Sequence, residues 1–490
     1  MIGDLESIVG KEYVLTDPEV LDKYSKDQSF VRPCRPDCVV FPKSTKEVQE
    51  VVKFANSHFI PIVPYSSGLN LHGGTIPDQG GIILNLSRMD RIIEVNEYNR
   101  FTWIEPGVTY AKLQDELERH DLRVMVPFGV PPNRSVLSSK LERLPVLASA
   151  STEYGNDLCM DMEVVLPDGN VFRTAMLAAA GGKSAGGAGA SGPHLWWNRI
   201  FEASQGTFGI VTKLVLKVEV MPRYREIFFL SFENIEEAIT PVRRIQEKEL
   251  GIECFLLNRF NFACMLTEDW TLPSTLPCAK ESSVYFEDLK RRLPSWTLII
   301  CLSGLRRLPK EKVEYEREDL KDLCQMLGLE LKPNVGGISG LERFMMEELL
   351  RPWSILKKFR YRGSCHDLSF YCPLNRIPEL EKEIKILADK HKYPISALGG
   401  YVLPVERGRA LYCEYDFHCD PNDHHETEKI KSLWFEASER LISKGAFFDR
   451  LYGPWAEMVY QRAGMYPIYL KKLKKQFDPN NIMNPGKLCF

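Results

Sequence analysis

Apolar positions along the chain fall in short, often interrupted runs whose period changes from one segment to the next. Ser44-Thr45-Lys46-Glu47 has the form of a helix N-terminal cap, and Val48, Val51, Val52, Phe54 and Ala55 follow at helical spacing. The apolar run Ile60-Pro61-Ile62-Val63 then stops at Pro64 and opens into Tyr65-Ser66-Ser67-Gly68-Leu69-Asn70-Leu71-His72-Gly73-Gly74. This pattern predicts a buried strand emptying into a tight loop. Strand-like runs come next at Ile82–Leu86, Ile92–Val95 and Thr102–Glu105, the last broken by Pro106-Gly107. Tyr110, Leu113 and Leu117 mark a further amphipathic helix. Short, partly antiparallel strands mixed with helices in this order predict an α+β fold.

The loop after Pro64 is the first sign of chemistry. Gly68, Gly73 and Gly74 permit positive φ and remove the Cβ atoms that would hold a ligand away from the backbone. Successive amides in such a turn form an anion-binding concavity suited to a phosphate or pyrophosphate, with an ordinary glycine-rich surface turn as the alternative. No G-x-G-x-x-G leads into a helix, so a doubly wound nucleotide fold is excluded. Gly182-Lys183-Ser184 imitates the end of a P-loop, but Leu177 and Ala178 stand where the required glycine would be. A flexible loop is expected over Ala178–Gly189 instead.

Composition changes this picture little. A chain of 490 residues has room for two or three domain-sized units, and 44% hydrophobic with 26% charged residues is ordinary for a globular protein. A net charge of −3 gives no reason to expect nucleic acid or an anionic membrane as partner. The start Met1-Ile2-Gly3-Asp4-Leu5-Glu6 lacks the features of a signal peptide, and no apolar run reaches spanning length, so the cytoplasm is the expected location. The 13 cysteines include no C-x-x-C pair, which speaks for reduced thiols and against an iron–sulfur cluster or zinc site. Cys34 and Cys38 lack a second ligand pair, and His418, His424 and His425 around Cys419 read as a polar, exposed loop rather than a metal site.

Several strings together resemble one family. They are Pro42-Lys43-Ser44-Thr45-Lys46-Glu47-Val48, the Gly68 loop, Asn85-Leu86-Ser87-Arg88-Met89 and Ile104-Glu105-Pro106-Gly107-Val108-Thr109-Tyr110. Ser135-Val136-Leu137 through Glu142-Arg143, Met162 through Gly169, and Gly206-Thr207-Phe208-Gly209-Ile210-Val211-Thr212 continue the likeness. Phe477-Asp478-Pro479-Asn480-Asn481-Ile482-Met483-Asn484-Pro485-Gly486-Lys487 closes it. Their order resembles the vanillyl-alcohol oxidase and p-cresol methylhydroxylase family of flavoproteins. The resemblance implies a PCMH-type FAD-binding domain of two α+β subdomains at residues 1–221, an antiparallel-sheet cap domain at 222–440, and a return to the FAD-binding domain at 441–490. Charged helices are expected within the cap at Lys310–Leu327 and Ile377–His391.

The same resemblance implies FAD as cofactor and assigns residues to it. Tyr65, Ser66, Ser67, Gly68, Leu69 and Asn70, with His72 and Gly73, would cradle the pyrophosphate; Ser135, Ser138 and Ser139 would continue that wall. Gly209, Ile210 and Val211 would lie at the adenine–ribose end, and Asn484 and Lys487 would close over the flavin side. The places of the usual covalent linkers are Leu69 and Leu368, which have no nucleophilic atom, so non-covalent FAD is expected. His72 and His366 lie close to those places. Hydride removal from an alcohol or alkylphenol-like small-molecule substrate is the implied reaction. Arg450 and Tyr452 would hold an anionic or phenolic oxygen, Arg409 (with Arg407) would stabilise the reduced flavin, and Asp157, or Asn156, matches the family's catalytic carboxylate. The hydroxy-acid branch's His-x-Gly-Asp-Gly-Asn-x-His string is absent, which weakens the alternative of a glycolate-oxidase-type 2-hydroxy-acid dehydrogenase. A non-catalytic or electron-relaying subunit is the other alternative. A dehydrogenase would need an iron–sulfur, cytochrome or electron-transfer flavoprotein partner, and an oligomer stays open.

Overall fold

The computed structural model describes residues 1–148, 159–182, 196–267 and 280–490. Strands Val14–Leu15, Cys38–Val40, Ile82–Asn85 and Ile62–Tyr65 lie side by side in that order, the last three parallel. The helix Thr45–His58 carries the chain from Cys38–Val40 to Ile62–Tyr65. It starts where Ser44 Oγ accepts the Glu47 N–H at 3.2 Å, and it ends at Phe59, whose left-handed φ of 57° stops it. Val48, Val51, Val52 and Ala55 are its buried stripe. A second sheet is wholly antiparallel, in the order Ile92–Asn96, Phe101–Ile104, Ile210–Lys217, Cys159–Val165, Val171–Arg173.

The C-terminal tail is stitched to the first sheet. Ile62 N–H donates to Ile482 O at 2.7 Å and Asn484 N–H to Ile62 O at 2.8 Å, so the tail runs parallel beside Ile62–Tyr65. A buried ion pair organises the turn before it: Lys474 Nζ contacts Asp478 Oδ2 (2.6 Å), Thr207 O (2.6 Å) and Met483 O (2.8 Å). Asp478 in turn accepts the N–H groups of Ile482 and Met483. These bonds explain the Asp-Pro-Asn-Asn-Ile-Met string as a structural clasp.

The cap is a six-stranded antiparallel sheet in the order Tyr224–Phe232, Trp296–Gly304, Glu253–Asn258, Gly399–Val405, Ala410–Cys419, Ser364–Pro373. The charged helices occur at Pro309–Met326 and Ile377–Lys390. Chain belonging to the cap runs past residue 440. The helix His424–Ser443 packs on it, with Trp434 Nε1 donating to Asp367 O at 2.9 Å, and Phe447 exchanges both backbone bonds with Tyr371 at 2.8 Å.

Two further expectations are corrected. His418 and Cys419 are not in an exposed loop; they end a central cap strand and are 2% and 0% exposed, and only His424 and His425 lie on the surface. Ala178 and Ala179 close a short helix, Ala175–Ala179, and the remainder of the expected loop from Lys183 lies outside the described residues. The described cysteines are free thiols. Among the described residues no helix is long and apolar enough to cross a membrane.

Candidate active site

A cleft of about 850 Å³, including its open mouth, lies where the strand Ile62–Tyr65 ends, between the two sheets of the N-terminal half. Tyr65, Ser66, Ser67, Gly68, Leu69 and Asn70 line one side, and Gly209, Ile210 and Val211 line another, with Ser138 and Glu142 between. Gly68 has φ +66°, and a Cβ there would lie 1.8 Å from the Tyr65 hydroxyl, so only glycine fits. Among the described residues, the backbone N–H groups of Gly68, Leu69 and Asn70 find no acceptor in the chain. Backbone donors are rarely left without partners, so a loop presenting three of them to a cleft suits an anionic ligand. The residues therefore fit a dinucleotide pyrophosphate.

Several bonds hold that loop in shape. Arg134 Nη1 donates to Leu69 O at 2.9 Å while the same guanidinium pairs with Glu142. Ser135 N–H donates to Ser67 Oγ at 3.2 Å, and Ser135 Oγ is itself tied to Pro106 O at 2.6 Å. Asn70 Oδ1 accepts the N–H groups of His72 (3.1 Å) and Gly74 (3.4 Å). Asp27 Oδ2 accepts the Gly73 N–H at 2.7 Å. Asn484 Nδ2 bridges Gly74 O (3.3 Å) and Gln205 O (2.7 Å), clasping the glycine loop to the Gly206 turn. Ser135, Gly73 and Asn484 thus shape the cleft without lining it. Ser139 lies deeper, accepting from Tyr110 Oη at 3.0 Å. Lys487 is buried outside the cleft; burial pushes its ammonium down, while Asp78 and Asp27 act the other way.

A second, smaller cavity, of about 370 Å³ including its open mouth, lies at the seam with the cap and shares Tyr452 with the cleft. His72, His366 and Asp367 face it, and Phe30, Trp434 and Trp455 wall it. His72 Nε2 is 3.5 Å from Asp367 Oδ1, and its ring stacks on Tyr452 with centroids 5.7 Å apart. His366 stacks on Phe30 at 4.5 Å, and Trp434 on Trp455 at 4.9 Å. Burial pushes the Asp367 carboxyl up, but the charges of His72, Arg450 and Lys358 outweigh it and hold the group below the usual carboxylate range. Burial pushes the His366 imidazole down to about 4, so it is neutral at physiological pH. Among the described residues, neither lysine nor arginine lines this cavity.

Behind it, one face of the cap sheet is polar. Register places Cys365, Asp367, Ser369 and Tyr371 opposite His418, Asp416, Glu414 and Tyr412. Lys358 reaches into this face, 2.6 Å from Glu414 Oε1 and 2.9 Å from Asp416 Oδ1. Arg450 is buried here; its Nη2 donates to Tyr412 Oη at 2.8 Å, and Asp449 lies 3.9 Å from its Nε. Its guanidinium therefore supports the cavity through Tyr412 and Asp367 rather than lining it. Cys365, Asp416 and His418 bring potential metal-ligand atoms within 4.8 Å of one another. Asp416 is engaged by Lys358, by Asn261 Nδ2 (2.8 Å) and by Cys365 Sγ (3.5 Å), while both ring nitrogens of His418 are buried without a hydrogen-bond partner among the described residues.

Not every residue singled out from sequence reaches these cavities. Arg409 is 75% exposed on the turn between two cap strands, and Arg407 pairs there with Glu249 at 3.0 Å. Neither lines the cleft or the seam cavity, because the turn leaves the sheet at its outer end. Asp157 and Asn156 lie outside the described residues. Leu69 lines the cleft, while Leu368 is 0% exposed in the cap core, facing away from Asp367. Sequence reasoning passed over Asp367, Lys358, Glu414 and Asp416. The signal for Asp367, Glu414 and Asp416 was present as a polar residue at every second position of two runs, Cys365–Tyr371 and Tyr412–His418; Lys358 lies outside both.

Comparison with known proteins fixes the class. Residues 36–175 match the family model described as an FAD binding domain, and residues 456–488 match the C-terminal domain of FAD linked oxidases. The chain is an FAD-dependent oxidoreductase. It is 27% identical to the glycolate oxidase subunit GlcD of Bacillus subtilis, over 95% of this chain and 91% of the relative. It is 24% identical to the 4-cresol dehydrogenase [hydroxylating] flavoprotein subunit of Pseudomonas putida, over 99% and 94%. Among solved structures it resembles p-cresol methylhydroxylase with substrate bound, at a TM-score of 0.83 and 21% identity over 100% of this chain and 96% of that one. The likeness establishes a PCMH-type FAD-binding fold with its cap.

Proposed function

We propose that this oxidoreductase removes hydride from a neutral hydroxylated substrate, an alcohol or an alkylphenol, whose hydroxyl sits in the seam cavity. The lining of that cavity supports the reading. Four aromatic side chains suit a ring or apolar body, and the described residues facing it include one carboxylate, Asp367, two imidazoles, His72 and His366, and neither lysine nor arginine. A 2-hydroxy acid would bring its carboxylate against Asp367 with no lysine or arginine in the lining to receive it. Bound FAD would supply the hydride acceptor, held in the cleft by the Gly68–Asn70 amides and without a covalent bond, since Leu69 and Leu368 carry no nucleophile.

The protein's own groups would then have the following roles. His72 takes the hydroxyl proton on Nδ1 as the substrate is oxidised, while Asp367, 3.5 Å from Nε2, holds the Nε2–H tautomer and stabilises the charge of the protonated ring. Tyr452, shared by cleft and cavity, positions the hydroxyl, while Trp434, Trp455 and Phe30 exclude water. Arg450 keeps Asp367 ionised from behind. Electrons leave to a separate acceptor; similarity to a protein called a flavoprotein subunit favours a partner chain.

Likeness to GlcD supports a second reading, oxidation of a 2-hydroxy acid. Anaerobic mixing of the FAD-loaded protein with a panel separates the two. Bleaching of the flavin by 4-alkylphenols or benzylic alcohols, with none by glycolate or D-lactate, is expected. The reverse pattern would reject the proposal.

A further inference from the structure

A third cavity, of about 1550 Å³ including its open mouth, lies where the edge strand of the cap meets Pro132 of the FAD-binding half. None of its lining residues lines the cleft or the seam cavity. Arg225, Arg343, Arg351, Lys357 and Arg360 face it, against the carboxylates of Glu347 and Glu348. Several of these charges are already committed. Arg351 binds Asp115 (2.9 Å) and Glu118 (2.6 Å), and Arg343 approaches Glu347 at 3.5 Å. Glu348 accepts from Ser354 Oγ (2.6 Å) and Ser354 N–H (2.9 Å). Lys357 Nζ points at the carbonyls of Met265 (3.3 Å) and Thr267 (2.7 Å).

Two groups remain. Arg225 has no carboxylate partner among the described residues, and its Nη1 is buried without an acceptor. Trp353 Nε1 is also buried without an acceptor and belongs to the same cavity. Nearby carboxylates do not serve Arg225. Glu226 projects from the opposite face of the strand and pairs with Arg317 at 3.1 Å, and Glu253, on Arg225's face, receives Arg123 at 2.9 Å. Guanidinium and indole N–H groups can only donate, and buried donors are seldom left unmet, so both are open to an acceptor from outside the chain, a water or a ligand oxygen. The segment Ser354–Arg360 separates this cavity from the buried polar cluster, turning Lys358 inward to Glu414 and Asp416.

We infer that this cavity is a second small-molecule site, which takes a polyanion whose phosphate or carboxylate oxygens meet Arg225 and Trp353 and whose apolar part rests on Met346 and the Trp353 ring. The test uses the FAD-loaded protein, so that the cleft is occupied, and titrates it calorimetrically with inorganic pyrophosphate and, separately, citrate. At least one probe should bind, more weakly as salt rises, and the tighter of the two names the anion type. Arg225→Met keeps the apolar stem and removes the donors; it should weaken binding about tenfold or more with flavin content unchanged. Trp353→Phe keeps a ring and removes only the N–H, and should weaken binding several-fold. Failure of both probes to bind at millimolar concentration would overturn the inference. So would binding unchanged in Arg225→Met, or recognition confined to acidic proteins.

Discussion

The cleft and the seam cavity meet at Tyr452, yet they are built on opposite principles. The cleft offers a ligand mainly backbone: amides without an acceptor after a strand, a glycine at positive φ, and serines and glycines among its walls. The seam cavity uses side chains brought from five separate stretches, around Phe30, His72, Asp367, Trp434 and Trp455. A cofactor common to many enzymes can be held by main chain whose side chains vary freely. A substrate must be told apart from its analogues, which requires particular side-chain groups. On the proposed function, cofactor identity is carried by a local string and substrate identity by side chains that meet where the cap joins the FAD-binding half.

The sharpest way to break the cleft side of this comparison is Gly68→Val. Its Cβ would collide with the Tyr65 hydroxyl and its backbone would be forced from φ +66°. Loss of nearly all bound FAD is expected, read from the ratio of flavin to protein absorbance, with secondary structure kept by circular dichroism. The matching break on the cap side is Lys358→Met, which strands Glu414 and Asp416 without their cation. It should destabilise the cap by about 3–5 kcal/mol in thermal or urea unfolding.

Acid should act on the cap next. Burial holds the His366 and His418 imidazoles down to about 4, whereas an unfolded chain titrates them near about 6.5. Because the folded values are the lower ones, the unfolded chain takes up protons first as pH falls. Stability is then full above about 6.5 and is lost between about 6.5 and 4, by at most about 3 kcal/mol for each histidine. His418→Phe should flatten part of that acid dependence in melting curves. The smallest effect is expected at Arg409→Ala, where an exposed side chain 3.8 Å from Glu406 should change stability by less than about 0.5 kcal/mol and leave flavin reduction untouched.

What could be read from the chain follows the same division. The Gly68 loop, the Gly209 strand and the C-terminal clasp are contiguous strings whose backbone chemistry is set by neighbours in sequence. The Gly68 loop and the Gly209 strand do line one cleft, while the C-terminal clasp, expected over the flavin, braces the loop from outside it. Asp367, Lys358 and Glu414 converge only through the pairing of distant cap strands, and a polar residue within an apolar run does not announce its partner. Arg409 misled because a cation on a strand-to-strand turn looks alike in sequence whether the turn points at a ligand or at solvent. Arg450 is intermediate: its burial among aromatic residues was legible, but its bond to Tyr412 was not.

The most direct test of the division between cofactor cleft and substrate cavity is His72→Phe, which keeps a ring beside Tyr452 and Trp455 but removes the group facing Asp367. FAD content and the flavin reduction rate are measured on the same preparation, under anaerobic conditions, with the best substrate of the panel. A full complement of FAD with reduction slowed about 100-fold or more is predicted, the scale of a lost general base. Reduction at the unaltered rate, or loss of FAD in step with loss of rate, would contradict it.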